Sequence, residues 1–306
     1  MANSAFGPVV LGGNVFGWTV EQSTAFRLFD AFADFGGRAI DTADVYPAWV
    51  AGREGGESEQ MIGAWLAERG RREHFKIATK VGKWQRQRGL SAANIRAAVE
   101  SSLQRLRTDY IDIYYAHEDD PSVPQEESLR AFDALVKEGK VRALGASNFS
   151  AARLSSALAF SREHGLAAFE YSQDRWNLVD REVEQVLVPT LQREGVSEFP
   201  YYSLASGFLT GKYRPGGKVD SSRAEGASGY LNQPRNVELL AVLDQIASAH
   251  DVPPASIALA WLSAQPSVVA PIASARTLEQ LRPLFQAADV QLSAEQLAQL
   301  SVASAP

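Results

Sequence analysis

The stretch GGRAIDTADVY, residues 36–46, begins as a short apolar run and then delivers Asp41, Thr42, Asp44 and Tyr46 in quick succession. A buried strand has no folding need for an acid at its end. Asp41 is therefore either a cap or turn residue, its ordinary role when met alone, or part of a site. The rest of the chain decides between these. Seven further strand-like runs accompany 38–43: residues 8–13, 75–81, 110–117, 141–148, 167–173, 197–204 and 267–274. Between them lie segments of helical periodicity. In EQSTAFRLFDAFADFGG, residues 21–37, Phe26, Phe29, Phe32 and Phe35 recur at three-residue spacing and a glycine pair closes the element. The others span 57–70, 91–106, 125–138, 150–164, 180–193, 235–264 with a break at Pro253 and Pro254, and 277–288. Ser91, Ser150 and Asp180 stand where helix N-caps are expected.

Strands alternating with helices imply parallel pairing through crossover helices, and eight such units close a barrel. The expected fold is α/β, a single (β/α)8 TIM barrel over residues 1–306, with an open doubly wound sheet as the competing architecture. The long polar stretch 211–236 reads as a lid or binding loop over one end.

Composition agrees with a folded, enzyme-sized core: 306 residues, 45% apolar and 22% charged. The chain has no cysteine, so disulfides, thiolate nucleophiles and cysteine metal sites are excluded. A net charge of -6 argues against broad phosphate-backbone contact, so no nucleic acid partner is expected. With no membrane-length apolar run and no secretory signal, no membrane partner is expected, and the expected location is cytoplasmic. The histidines, at 74, 117, 164 and 250, are too scattered for a zinc signature, and no metal is expected. GFLTGKY has the wrong spacing for a P-loop, and GGNVFG does not fit the GxGxxG fingerprint. A dinucleotide would have to be held in some other way.

The polar residues collect at one end of the strands. Asp41, Lys80 and His117 end the second, third and fourth runs, with Tyr46 just past the second. Ser147 and Asn148 end the fifth, Gln173 the sixth, Tyr201 nears the end of the seventh, and Ser274 and Arg276 mark the eighth. In a parallel barrel these ends share the face that carries active sites. A tyrosine ordinarily holds its proton to about pH 10, so acid-base work near neutrality calls for a cation beside it. Lys80 can supply that cation, Asp41 can keep Lys80 charged, and His117 can orient a carbonyl oxygen. Such a set polarises and protonates a carbonyl but holds no hydride, which a cofactor must bring. Trp49 and Trp84 follow strand ends and are candidates for an apolar substrate pocket.

The blocks AIDTADVY, KIATKVG, DYIDIYYAHEDD, LVKEGKVRALGASNFS, EYSQDRWNL, YYSLASGFLTGKY and APIASARTLEQL, in this order, resemble the signature blocks of the aldo-keto reductases over nearly the whole chain. The resemblance implies NADPH-dependent reduction of aldehydes or ketones, reversible, with Asp41, Tyr46, Lys80 and His117 as the catalytic tetrad and Tyr46 as proton donor. It also implies that Ser147, Asn148 and Gln173 hold the nicotinamide carboxamide and that Tyr201, or its neighbour Tyr202, stacks on the ring. Leu204, Gly207 and Lys212 would line the cofactor's path. Arg276 would meet the adenosine 2'-phosphate of NADPH or NADP+, favouring it over NADH, with Ser274, Glu279 and Gln280 around it. The sequence departs from the family in the few residues before its first strand, too short for a full β-hairpin plug, and in Leu284, where an asparagine is frequent. Two alternatives remain open: a cofactor-binding redox sensor or regulatory subunit with little turnover, and a Schiff-base lyase with Lys80 as nucleophile.

Overall fold

The structure, a computed structural model, describes residues 5–305. Eight parallel strands form one sheet: β1 (Val10–Gly12), β2 (Ala39–Asp41), β3 (Lys76–Val81), β4 (Ile111–Ala116), β5 (Val141–Ser147), β6 (Phe169–Gln173), β7 (Ser197–Glu198) and β8 (Ile272–Ala273). The spatial order is β7-β6-β5-β4-β3-β2-β1-β8. Its two edges meet through backbone bonds from Glu198 N to Ser267 O (2.7 Å), Val269 N to Glu198 O (2.9 Å) and Ile272 N to Pro200 O (2.9 Å). The sheet thus curls into the expected (β/α)8 barrel rather than an open sheet.

The last two strands are shorter than the apolar runs 197–204 and 267–274 suggest. Proline has no N–H to give a ladder. Pro200 and Pro271 interrupt the two runs, and both act only as carbonyl acceptors, Pro271 O taking Val10 N at 3.0 Å.

The helices fall close to the periodic segments: α1 (Gln22–Asp34), α2 (Glu57–Arg69), α3 (Ala92–Leu106), α4 (Gln125–Lys137), α5 (Ala151–His164) and α6 (Val183–Glu194). The stretch 211–236 contains a short α7 (Ala224–Gly229); beyond it α8 (Pro234–His250) and α9 (Pro254–Ser263) are separated at Pro253, and α10 (Leu278–Gln286) follows β8. Ser91 and Ser150 cap α3 and α5 by accepting from Asn94 N and Arg153 N. Asp180 does not cap α6, which starts three residues later; its carboxylate instead accepts from Asn177 Nδ2 and the Tyr230 hydroxyl. A last helix, α11 (Ala294–Ala303), lies outside the expected segments, although Ser293 and Gln296 form a capping box at its start.

Side chains alternate across each strand, so every strand feeds two cores. Ile40, Ile77, Tyr114 and Leu144 face outward into the layer shared with the helices, where Phe29 and Phe32 of α1 pack. Val10, Ala39, Ala78, Ile113 and Tyr115 face the barrel axis. Phe6 stands edge-on to Tyr171 and Phe199, with ring centres 5.7 and 4.9 Å away, and packs with this inner layer.

Close approach is required where α2 crosses α3: a Cβ on Gly63 would stand 2.3 Å from the Arg105 carbonyl oxygen. Backbone cannot yield as a side-chain tip can. Gly63→Ala is expected to lower unfolding free energy by about 1–3 kcal/mol, read as a lower urea midpoint.

Candidate active site

Lys80 points inward from β3 and has almost no solvent contact. Its Nζ donates to Asp41 Oδ2 at 2.6 Å and to the Thr42 carbonyl at 2.7 Å. The other Asp41 oxygen accepts from Gln173 Nε2 at 2.8 Å, so one carboxylate ties β2 to β3 and, across the barrel, to the end of β6. The turn after β2 is pinned from below: the Thr42 hydroxyl donates to Ser58 Oγ (2.8 Å), which donates to the Gly13 carbonyl (2.8 Å). That turn sets Tyr46 with its ring centre 5.1 Å from Lys80 Nζ. His117, at the end of β4, presents its imidazole at 74° to the Tyr46 ring, centre to centre 5.9 Å. The structure therefore brings Asp41, Tyr46, Lys80 and His117 together.

The charges follow from enclosure. Burial pulls the proton affinity of Lys80 below the ordinary lysine value; Asp41 opposes this without cancelling it. Burial, with Asp41 and Asp44 adding to it, holds the Tyr46 phenol well above the ordinary tyrosine value. His117 is pushed well below the usual imidazole range by burial and by the charges of Lys80 and Lys83. Around neutrality the site thus contains a protonated phenol and a neutral imidazole.

Next to the tetrad, Asn148 adopts a left-handed conformation, φ 58°. Its amide nitrogen donates to the His117 carbonyl (3.0 Å) and to Ser147 Oγ (2.9 Å), and its amide oxygen accepts from the Tyr201 hydroxyl at 2.7 Å. Ser147 Oγ donates to the Gln173 carbonyl at 2.7 Å. Ser147, Asn148, Gln173 and Tyr201 are therefore one connected group. Tyr202 stands edge-on to Tyr201 and beneath the Arg175 guanidinium, 4.6 Å from its ring centre.

These residues open onto a cavity of about 850 Å³ that runs past Leu204 and Gly207 to the far end, where Lys212, Ser274, Arg276, Glu279 and Gln280 form its wall. Ser274 Oγ donates to Asn14 Oδ1 at 2.9 Å, and Arg276 N donates to Gln280 Oε1 at 2.8 Å. From the stretch 211–236, Arg223 reaches the same Asn14 oxygen at 3.3 Å and lies over Trp18, while Ser221 Oγ accepts from Arg276 Nη2 at 3.4 Å. Burial, and then the nearby charges of Arg276 and Arg223, lower the proton affinity of Lys212; burial, with Arg276 adding to it, lowers that of Arg223. Among the described residues none of the three forms an ion pair with an acid. A cavity of this length with unneutralised cations at one end fits a polyanionic dinucleotide.

Of the two pocket tryptophans, Trp49 stands in the cavity wall against Tyr46 and Trp18, with ring centres 5.5 and 6.0 Å away. Trp84 is outside that wall: its indole donates to the Glu54 carbonyl at 2.9 Å and faces the Arg105 guanidinium. The ring packs closely on the backbone turn at Gly55, where a Cβ would stand 2.8 Å from the Trp84 nitrogen. Sequence reasoning did not single out Arg223, Asn14 or Asp174. Arg223 is the one basic residue in the small-residue run DSSRAEGAS, a usable signal; Asn14 and Asp174 carried none.

Residues 8–304 match the Aldo/keto reductase family, and the chain belongs to it. It is 34% identical to the uncharacterized oxidoreductase YrpG of Bacillus subtilis (strain 168), over 95% of this chain and 90% of that protein. It is 31% identical to the aryl-alcohol dehydrogenase GME11368 of Pestalotiopsis microspora (96% and 77%) and 33% identical to the norsolorinic acid reductase stcV of Emericella nidulans (97% and 78%).

Removing one partner of a buried ion pair leaves the other uncompensated, at a cost of about 3–5 kcal/mol. Asp41→Asn is expected to lose that much unfolding free energy in chemical denaturation at neutral pH, because among the described residues Lys80 has no second carboxylate within hydrogen-bond reach.

Proposed function

We propose that the protein is an NADPH-dependent reductase of aldehyde or ketone carbonyls, running reversibly to the alcohol. The observation that carries this reading is the Lys80–Asp41 pair at 2.6 Å beneath the facing rings of Tyr46 and His117, on the wall of a cavity whose other end is cationic.

When bound, the reduced nicotinamide supplies a hydride to the carbonyl carbon; everything else is work for the chain. Tyr46 keeps its proton in the resting protein and gives it to the carbonyl oxygen. Lys80, under the ring, limits the cost of the phenolate that results, and Asp41 holds Lys80 in place. His117 Nδ1 is buried without a hydrogen-bond partner among the described residues, an arrangement least costly for a bare lone pair. Nε2 then carries the hydrogen and donates to the substrate oxygen. Ser147, Asn148 and Gln173 would hold the carboxamide of the nicotinamide. Lys212, Arg223 and Arg276 would hold its phosphates, a guanidinium suiting the 2'-phosphate of NADPH. The rings of Trp18, Tyr46 and Trp49 favour an aromatic carbonyl, in keeping with the aryl-alcohol and norsolorinic acid names of the relatives.

The Schiff-base alternative is disfavoured because Lys80 is enclosed and engaged by both Asp41 and the Thr42 carbonyl. A sensor with the same cofactor site differs from a reductase only in turnover, and NADPH oxidation against a panel of aryl aldehydes and ketones separates the two. Tyr46→Phe is expected to lower kcat by about 100-fold or more while NADPH still binds. Equal turnover by the two proteins would remove Tyr46 from its role. Arg276→Ala is expected to weaken NADPH by about tenfold or more, the worth of one charge-assisted contact, with NADH little changed. Equal losses for both cofactors would sink that assignment.

A further inference from the structure

Behind Asn148 lies a pair of acids that the catalytic reading does not use. Asp174 follows β6 and Glu198 ends β7; both are buried, at 5% and 1% exposure. Asp174 Oδ1 accepts from Asn148 N at 3.1 Å, and Asp174 Oδ2 accepts from the Ser172 hydroxyl at 2.5 Å. Glu198 Oε1 accepts from Asp174 N at 2.9 Å, whereas Glu198 Oε2 is buried with no hydrogen-bond partner among the described residues. Among the described residues neither acid forms an ion pair. Two neighbouring carboxyls buried without a cation cannot both ionise cheaply, and a partnerless oxygen is a poor seat for a full negative charge. Burial accordingly raises both above the ordinary carboxylate range, Glu198 the more strongly, with Asp174 adding to its shift.

The pair is wired to the walls of the nicotinamide end of the cavity. Asp174 Oδ1 fixes Asn148 in its left-handed conformation, and the Asp174 carbonyl accepts from Tyr201 N at 2.9 Å. Both Asn148 and Tyr201 line that end. The oxidised nicotinamide ring carries a positive charge and the reduced ring none, so negative charge buried beside them discriminates between the two.

We propose that Asp174 and Glu198 are positioning residues that share one proton at neutral pH, and that the charge of this pair sets the relative affinity of the site for the oxidised and reduced forms of the nicotinamide cofactor. This rests on the reading of the cavity as a nicotinamide site. Loss of the shared proton adds a negative charge and shifts preference toward NADP+.

Other groups face the pair. Tyr115, from β4, is raised well above the ordinary value by burial and by Asp41 and Glu198, and Tyr201 is pushed up to about 12, so neither phenol ionises in the useful range. Arg175 remains a cation, and His117 remains neutral. Lys80, drawn below the ordinary lysine value, is the competing titration, and a variant of the pair or a signal from the carboxyls themselves separates it.

The test is the ratio of NADP+ to NADPH affinity, from quenching of tryptophan fluorescence, between about pH 7 and pH 9.5. The 2'-phosphate is common to both ligands and cancels in the ratio. In the wild type the ratio is expected to move toward NADP+ by about fivefold across this range, the effect of one charge roughly 10 Å away at intermediate dielectric. Glu198→Gln, which keeps the shape of a protonated acid, is expected to remove the slope. Asp174→Asn is expected to move the ratio toward NADPH by a similar factor already at pH 7. A flat wild-type ratio, or a slope that survives in Glu198→Gln and so belongs to Lys80, overturns the proposal. If a variant loses its fold, infrared difference spectra of the wild type decide: a protonated carboxyl band lost in step with the ratio supports the pair, and no such loss overturns it. Failure of the wild type to bind either nucleotide would overturn the cofactor reading, and this inference with it; tight binding with a flat ratio overturns this inference alone.

Discussion

The Lys80–Asp41 ion pair is the constraint around which the site is organised. It places two opposite charges where water scarcely reaches, at 2.6 Å, and such a pair survives only with good geometry and further hydrogen bonds. Those bonds come from Gln173 and from the Thr42 carbonyl, so the demands of one buried lysine fix the ends of β2, β3 and β6 relative to one another. Tyr46 and His117 take their positions from the same elements. The chemistry and the rigidity of the barrel mouth are one arrangement.

The sequence made the architecture legible because its signals were redundant. Eight apolar runs with helical segments between them leave few topologies, and the polar residues at their ends all had to share a face. Asp41 shows the logic well. Alone it reads as a turn residue; next to Lys80 on the neighbouring strand it is an ion-pair partner. The strand lengths of β7 and β8 were less legible because apolar character marks burial, not pairing, and prolines at 200 and 271 remove ladder donors without making the run polar. α11 escaped notice because only Leu300 among its residues is buried, which leaves a weak periodic signal, although Ser293 and Gln296 marked its start.

Site residues were legible where they sit on strands and less so where they sit on loops. Trp84 follows β3 at the spacing of a pocket residue, yet its indole donates to the Glu54 carbonyl and packs on the turn at Gly55. Asn14 and Arg223 are separated by 209 positions and meet across the cavity, a contact no local pattern can announce. Asp174 and Glu198 are ordinary acids in the sequence. Only burial without a cation gives them meaning.

The bond between Ser274 and Asn14 joins residues 260 positions apart, and β1 finds its second neighbour only in β8. The tetrad is complete by residue 117, whereas the cationic end of the cavity draws on Lys212, Arg223 and Arg276. During synthesis from the N-terminus Asp41, Tyr46, Lys80 and His117 therefore emerge well before the cationic wall of the cavity. The first strand waits with one edge unpaired until nearly the whole chain has emerged, and a chain halted before residue 272 would keep the buried ion pair and its two neighbouring rings but have neither a closed barrel nor a finished cavity.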